Sequence, residues 1–348
     1  MTMADVESIT VVWQLASRIS DLTFEGALAG YVTALACHAV EFASRRGTST
    51  ANATVGAPAD SVAAGGAVAL LTREGDDPAG GADDTDDRSA AARPGWGERF
   101  GRAAVLVAGI GFTMNVLSLI TRGMAAHRAP WGNMYEIVSL ICAVAAGAWL
   151  VAVNRTKVRR IGLFVMFPIA VLSFVGGTVL YTPAGGLVPA LQSYWLVIHV
   201  LAVAISSGML MLSGVASAMY IVRTRHDRRR GSGADPRSVL DRLPAPDILD
   251  KVAYRTAIVA FPLFTFAVVA GALWAEAAWG RYWGWDPKET TALVTWILYA
   301  GYLHARATSG WRGRPAAWIS ILGFASIMFN LFVVNMVVSG LHSYAGLN

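Results

Sequence analysis

The chain is poor in charge and in cysteine. Only 15% of its 348 residues are charged, against 55% hydrophobic, and its mean hydropathy is positive. Typical soluble domains carry about 25% charged residues, so an ordinary soluble fold is excluded and several membrane spans are expected. Its two cysteines, Cys37 and Cys142, stand far apart within apolar runs. That rules out a CxxC redox pair and a cysteine zinc cluster, so the chain is not expected to be a thiol oxidoreductase. The first ten residues, MTMADVESIT, contain Asp5 and Glu7 but no basic residue, so no cleaved signal peptide is expected. The net charge of +5 is spread over short clusters between apolar runs, which argues for topology signals and against nucleic-acid binding.

A bilayer core takes about 20 apolar residues per helix. About eight segments qualify: 23–43, 102–121, 133–153, 161–181, 197–222, 254–275, 288–307 and 316–338. The expected fold class is therefore all-α, a polytopic integral membrane helical bundle. Basic clusters follow every second span: RR at 45–46, RTKVRR at 155–160, RTRHDRRR at 223–230 and RATSGWRGR at 306–314. The positive-inside rule makes those loops cytoplasmic and puts both termini outside, with the loops at 122–132, 182–196 and 276–287. Residues 47–98 contain DDPAGGADDTDD and too little apolar surface to fold, and read as a disordered cytoplasmic insert. Three parts follow: residues 1–46, an interfacial segment and first span; the insert; and a transmembrane core over 99–348. Within the first part, VVWQLASRISDL has the mixed character of a helix lying on the membrane surface. Residues 223–250 read as a second cytoplasmic loop.

Chemistry concentrates around WGRYWGWDPKETTALVTW, residues 279–296. Asp286, Pro287 and Glu289 have the spacing of an N-cap, a first-turn proline and a capping-box carboxylate, so a helix begins there. Trp274, Trp279, Tyr282, Trp283 and Trp285 fall within twelve residues, interrupted by Gly280 and Gly284. An aromatic belt at the headgroups accounts for single tryptophans but poorly for the ensemble. Rings spaced by glycine suit a shelf for a planar apolar ligand, which approaches the backbone closely there.

The six histidines divide by side. His199 opens the fifth span and His342 lies just past the eighth, both on the external side, and His127 sits in the loop HRAPWGNMYE. His304, about 26 Å along the seventh span, and His38 share an inner depth; His226 lies among arginines. A lone histidine at a helix end is more often solvated than a ligand, and that reading stands for His226. His199 and His342 share their side with the aromatic shelf, and two neutral imidazoles are common axial ligands of haem iron. Ionisable residues inside a membrane usually face the bundle interior, so His38 and His304 are candidates for a second, inner site. A hydrogen-bonded core histidine is an equal alternative for His38.

The run WAEAAWGRYWGWDPKETTALVTWILYAGYLHAR resembles the tryptophan-rich WWD signature of haem-handling proteins of cytochrome c maturation. It is most similar to the CcsA/ResC branch of System II, called CcsB in some actinobacteria. HRAPWGNMYE resembles that branch's first external loop, and the likeness covers roughly residues 100–348. It implies that His199 and His342 hold iron of haem b outside, that Trp274, Trp279, Tyr282, Trp283 and Trp285 grip the macrocycle, and that His304 serves an inner site. Asp286 is assigned mainly to capping and ordering the loop, and Tyr135 and Glu136 to shaping the first. The implied activity is transport and presentation of haem for thioether attachment to the CxxCH thiols of apocytochrome c. It implies residence in the plasma membrane, a CcsB/ResB-type partner subunit, and room for a thiol-reducing partner. The alternative is haem delivery of the CcmC type without ligation, favoured for shorter chains with about six spans. A cytochrome b-like redox subunit would want paired histidines deep in facing helices.

Overall fold

Apolar runs this long, with few internal breakers, form helices. The computed structural model describes residues 3–44, 95–155, 158–187, 191–231, 238–338 and 340–341. Eight α-helices are found there: α1 (Met3–Ala43), α2 (Trp96–Ala126), α3 (Met134–Arg155), α4 (Gly162–Thr178), α5 (Tyr194–Arg230), α6 (Pro246–Trp279), α7 (Pro287–Ala307) and α8 (Arg314–Met328). A π-helical segment, Phe329–Val334, extends α8. No strand occurs among the described residues. Seven of the helices are long and apolar enough to cross a membrane. The exception, α7, carries Lys288, Glu289, His304 and Arg306. The protein is thus a polytopic helical membrane protein.

Two boundaries differ from the sequence expectation for physical reasons. Nothing between Val12 and Phe24 breaks a helix, so the segment expected at the interface continues into the first span as one 41-residue helix. The basic run 223–230 is helix, not loop: three arginines close α5, where cations favour the helix dipole. Arg223 also pairs with Asp227 one turn on, at 3.0 Å. Most of the insert, residues 47–94, lies outside the described residues, and α2 begins within its expected last few.

One apolar core lies among α1, α3 and α4, around Tyr31, Trp149 and Ile169. Buried polar side chains tie α1, α2 and α3 together. Asn115 donates to Tyr31 Oη and Ser139 O, both at 3.3 Å, and accepts from Ser139 Oγ at 2.7 Å. Ser118 Oγ donates to Ser20 O at 2.9 Å. Such bonds between spans are worth roughly 0.6–2 kcal/mol each. A second core joins α5, α6, α7 and α8 around Leu210, Tyr299 and Tyr302. Cys37 and Cys142 are both free thiols.

The ends of the bundle differ. One gathers Arg159, Arg223, Arg230, Arg242 and Arg306. Arg242 there donates to Phe42 O at 2.5 Å, and Arg306 Nη1 donates to both carboxylate oxygens of Asp250, at 2.6 and 2.7 Å. The other carries the loops 127–133 and 280–286.

Candidate functional site

At the second end, the capping residues read from sequence do what their spacing requires. The αL glycine Gly280 (φ 69°) terminates α6, its N–H reaching Glu276 O. Asp286 then caps α7 in a capping box with Glu289. Glu289 Oε2 accepts from the N–H of Gly284 at 2.8 Å and of Asp286 at 3.1 Å. Asp286 Oδ2 accepts from Lys288 N at 3.1 Å, while its Oδ1 accepts from Leu341 N at 2.8 Å. Asp286 therefore fastens the tryptophan loop to the segment that leads into His342. His342 itself lies outside the described residues.

Behind this loop is a cavity of about 220 Å³ whose lining includes Trp131, His199, Trp274, Tyr282, Trp283 and Lys288. His199 comes from α5. Its Nδ1 lies 2.8 Å from Ala267 O on α6; a carbonyl only accepts, so Nδ1 carries the proton and Nε2 keeps its lone pair. A ring fixed through its other nitrogen to a backbone carbonyl is the usual arrangement of a metal-ligating histidine. Space for the ring exists because residue 271 is glycine: a Cβ there would meet the imidazole at 2.7 Å. Trp274 lies nearly parallel to His199, 12° between planes and 6.2 Å between centroids, and Trp279 braces Trp274 edge-on at 4.7 Å. The donor set, an imidazole nitrogen left free in a ring-lined cavity, is one that could hold an aromatic ligand bearing a metal.

The aromatic shelf is narrower than its sequence cluster. Trp274, Tyr282 and Trp283 line the cavity, Trp279 stands behind Trp274, and Trp285 turns outward, 69% exposed, against the edge of Trp283. Trp285 also takes a left-handed backbone (φ 59°), costing on the order of 1–3 kcal/mol at a bulky residue.

The histidines separate. His127 stands edge-on against Trp13 of α1, 4.2 Å between centroids, and is not among the residues lining the cavity. His226 is buried and bonded to Asp241 at 3.0 Å, so it is a structural residue and not a solvated one. His38 and His304 are not brought together. His38 is buried on α1, its Nδ1 3.1 Å from Glu41 and its ring against Trp149. Its Cε1 and Nε2 lie against Gly162, where an added Cβ would meet them at 2.4 Å. Glu41 is held in turn by Arg159 at 2.6 Å. His38 is thus a buried histidine hydrogen-bonded within its own helix. His304 is exposed on α7, which packs on α6 and α8.

Sequence reasoning missed Trp131, Gly271, Lys288 and Asn330. Trp131 carried a signal, since it stands in the loop already singled out. Its place is set by Glu136, which is fully buried and accepts from Arg122 Nε at 3.1 Å, Arg128 Nη1 at 2.7 Å and Gly132 N at 2.8 Å. Tyr135 adds a cation–π contact, 5.0 Å from the Arg122 guanidinium. Asn330 lies in the π-helical turn of α8, a distortion that often marks functional sites and has no clear sequence signature.

Fold and site define a multi-helix membrane protein with a histidine-bearing, tryptophan-walled cavity at one end. Residues 131–342 match the family described as Cytochrome C assembly protein. The chain is 32% identical over 285 residues to the cytochrome c biogenesis protein CcsA of Gloeobacter violaceus, covering 68% of this chain and 84% of that protein. It is 34% identical over 249 residues to CcsA of Mesostigma viride, covering 66% and 81%. The chain belongs to the cytochrome c assembly protein family, in its CcsA branch. Among solved structures, the cytochrome c haem lyase CcmF is similar in fold, with a TM-score of 0.51 at 16% identity. That likeness covers 91% of this chain but 46% of the CcmF chain, so the protein spans about half of that neighbour's length.

Proposed function

We propose that the protein acts in cytochrome c biogenesis by holding haem b in the cavity beside His199 and presenting it for attachment to apocytochrome c. The observation that carries this reading is the His199 ring, fixed through Nδ1 to Ala267 O with Nε2 left for a metal, beside the Trp274 plane. His342, one residue beyond the Leu341 that Asp286 holds, is the second histidine that would hold the haem iron. When bound, haem supplies the vinyl groups that take up the CxxCH thiols. The chain's own residues bind and orient: His199 fixes the metal's position, Trp274 and Trp283 wall the ring, and the Asp286–Glu289 capping box keeps the loop in place. Holding reactants in a fixed geometry is itself a large source of rate. The cavity, at about 220 Å³, is smaller than the roughly 300–1,000 Å³ of pockets that enclose a ligand. A macrocycle therefore keeps one edge outside, open to a protein substrate.

The arginine-rich end is assigned to the cytoplasm and the tryptophan loop to the outside, as in a bacterial plasma membrane protein. A CcsB/ResB-type subunit and apocytochrome c are the proposed partners. For an inner site the proposed ligand is His304, exposed on α7. Purified protein is expected to show a bis-imidazole haem spectrum that His199→Ala and His342→Ala each abolish; an unchanged spectrum in both variants refutes the ligand pair. Ligation and CcmC-type delivery are separated by co-expression with the partner and an apocytochrome in a host lacking its own maturation system. Covalently bound haem is expected, and its absence with a competent partner favours delivery.

A further inference from the structure

The proposed site contains a cation that helix stability does not explain. Lys288 sits in the first turn of α7, where the helix dipole disfavours positive charge. It is half-buried and lines the same cavity as His199, Trp274 and Trp283. Its ammonium makes no hydrogen bond or ion pair among the described residues. Nearby carboxylates are engaged elsewhere: Glu289 accepts from Gly284 N and Asp286 N, and Asp286 accepts from Lys288's own backbone N–H and from Leu341 N. The Asp286 carboxylate attracts this charge from a distance but no acceptor bonds its ammonium, and a charge withdrawn from water without a bonded partner is costly, so this one is placed for an anion brought by the ligand. The other named walls, rings and an imidazole, bind a flat metal-bearing body but do not distinguish a free acid from its ester.

We propose that Lys288 recognises a carboxylate on the edge of the planar ligand, so that the cavity selects macrocycles bearing a free acid and fixes which edge faces inward. This rests on the haem reading above, for which the carboxylate is a propionate. The opposite edge is then the one exposed at the rim, and Lys288 acts as an orienting residue for presentation.

The test compares haem with haem dimethyl ester, which has the same iron, ring and vinyl groups but no acid. Both are titrated by Soret absorbance into the full chain in detergent, as wild type, Lys288→Met and Lys288→Arg. Wild type is expected to bind haem at least tenfold more tightly than the ester, in line with a charge-assisted bond. Lys288→Met is expected to lose that preference while its ester affinity and bis-imidazole spectrum stay within twofold of wild type, and Lys288→Arg to keep it. Equal binding of acid and ester by wild type, or an intact preference in Lys288→Met, overturns the role of Lys288 while leaving the haem site standing. If wild type binds neither macrocycle through His199, the haem reading falls and this inference with it.

Discussion

Gly271 controls His199 as firmly as the hydrogen bond that holds it. A methyl group at 271 would lie 2.7 Å from Cε1 and Nδ1 of the ring, and the ring cannot retreat without giving up Ala267 O. Gly271→Ala is therefore expected to weaken haem binding at least tenfold in a Soret titration while the helical circular dichroism stays unchanged. Asp286→Ala removes a helix cap, worth about 1 kcal/mol, and also the anchor of Leu341. It is expected to weaken haem binding more than Glu289→Ala, since only Asp286 joins both segments. At this scale the sequence was informative where chemistry is local. The cap and its box follow from Asp286, Pro287 and Glu289 alone. Gly271 and Lys288 were not legible, because a glycine inside an apolar helix and a lysine after a proline acquire meaning only from what lies across the cavity.

Between elements, the most constrained joint is the one closing the first loop onto α3. Glu136 and Arg122, 0% and 1% exposed, are charges buried as a pair, and removing one partner strands the other. Glu136→Ala is expected to destabilise the protein by about 3–5 kcal/mol and to displace Trp131, read as a lower melting temperature in detergent and weaker haem binding. Asn115→Ala, which removes three bonds between spans, is expected to cost about 2–6 kcal/mol but, by contrast, to leave the cavity intact. At the arginine-rich end, the short 3-10 turn Val239–Arg242 docks on α5 through Asp241 and His226. The His226 bond holds the Asp241 carboxyl below the usual carboxylate value. A depressed acid stabilises at neutral pH and stops doing so only below about pH 4. Amide exchange in 239–242 is thus expected to be slow at pH 7 and faster, relative to its intrinsic rate, at pH 3.

For the whole molecule, the helix count and the segregation of arginines to one end came from apolar runs and charge clusters, which act over short stretches of chain. Introduced cysteines at 229 and 312 are expected to react with a membrane-impermeant thiol reagent only from the cytoplasmic side, and one at 282 only from outside. The opposite pattern would invert the proposed topology. What remained hidden was pairing over long distances. His38 and His304 have matching depth in sequence, yet depth says nothing of azimuth: one faces Gly162 in a closed core and the other faces out from α7. Nor did the sequence foretell that Trp285 takes a left-handed backbone and stands exposed.

The clasp around the tryptophan loop has a kinetic meaning. Four hydrogen bonds, from Gly284, Asp286, Lys288 and Leu341 N–H groups to the two carboxylates, must open before the loop can lift. At about 0.5–1.5 kcal/mol each, they make the lifted loop a minor state, roughly thirtyfold to twenty-five-thousandfold rarer than the closed one. Cargo leaving past the loop would wait for that rare opening, whereas cargo drawn out by a docked substrate at the exposed rim would not. On the proposed reading, the site would hold its ligand in solitude and surrender it on encounter.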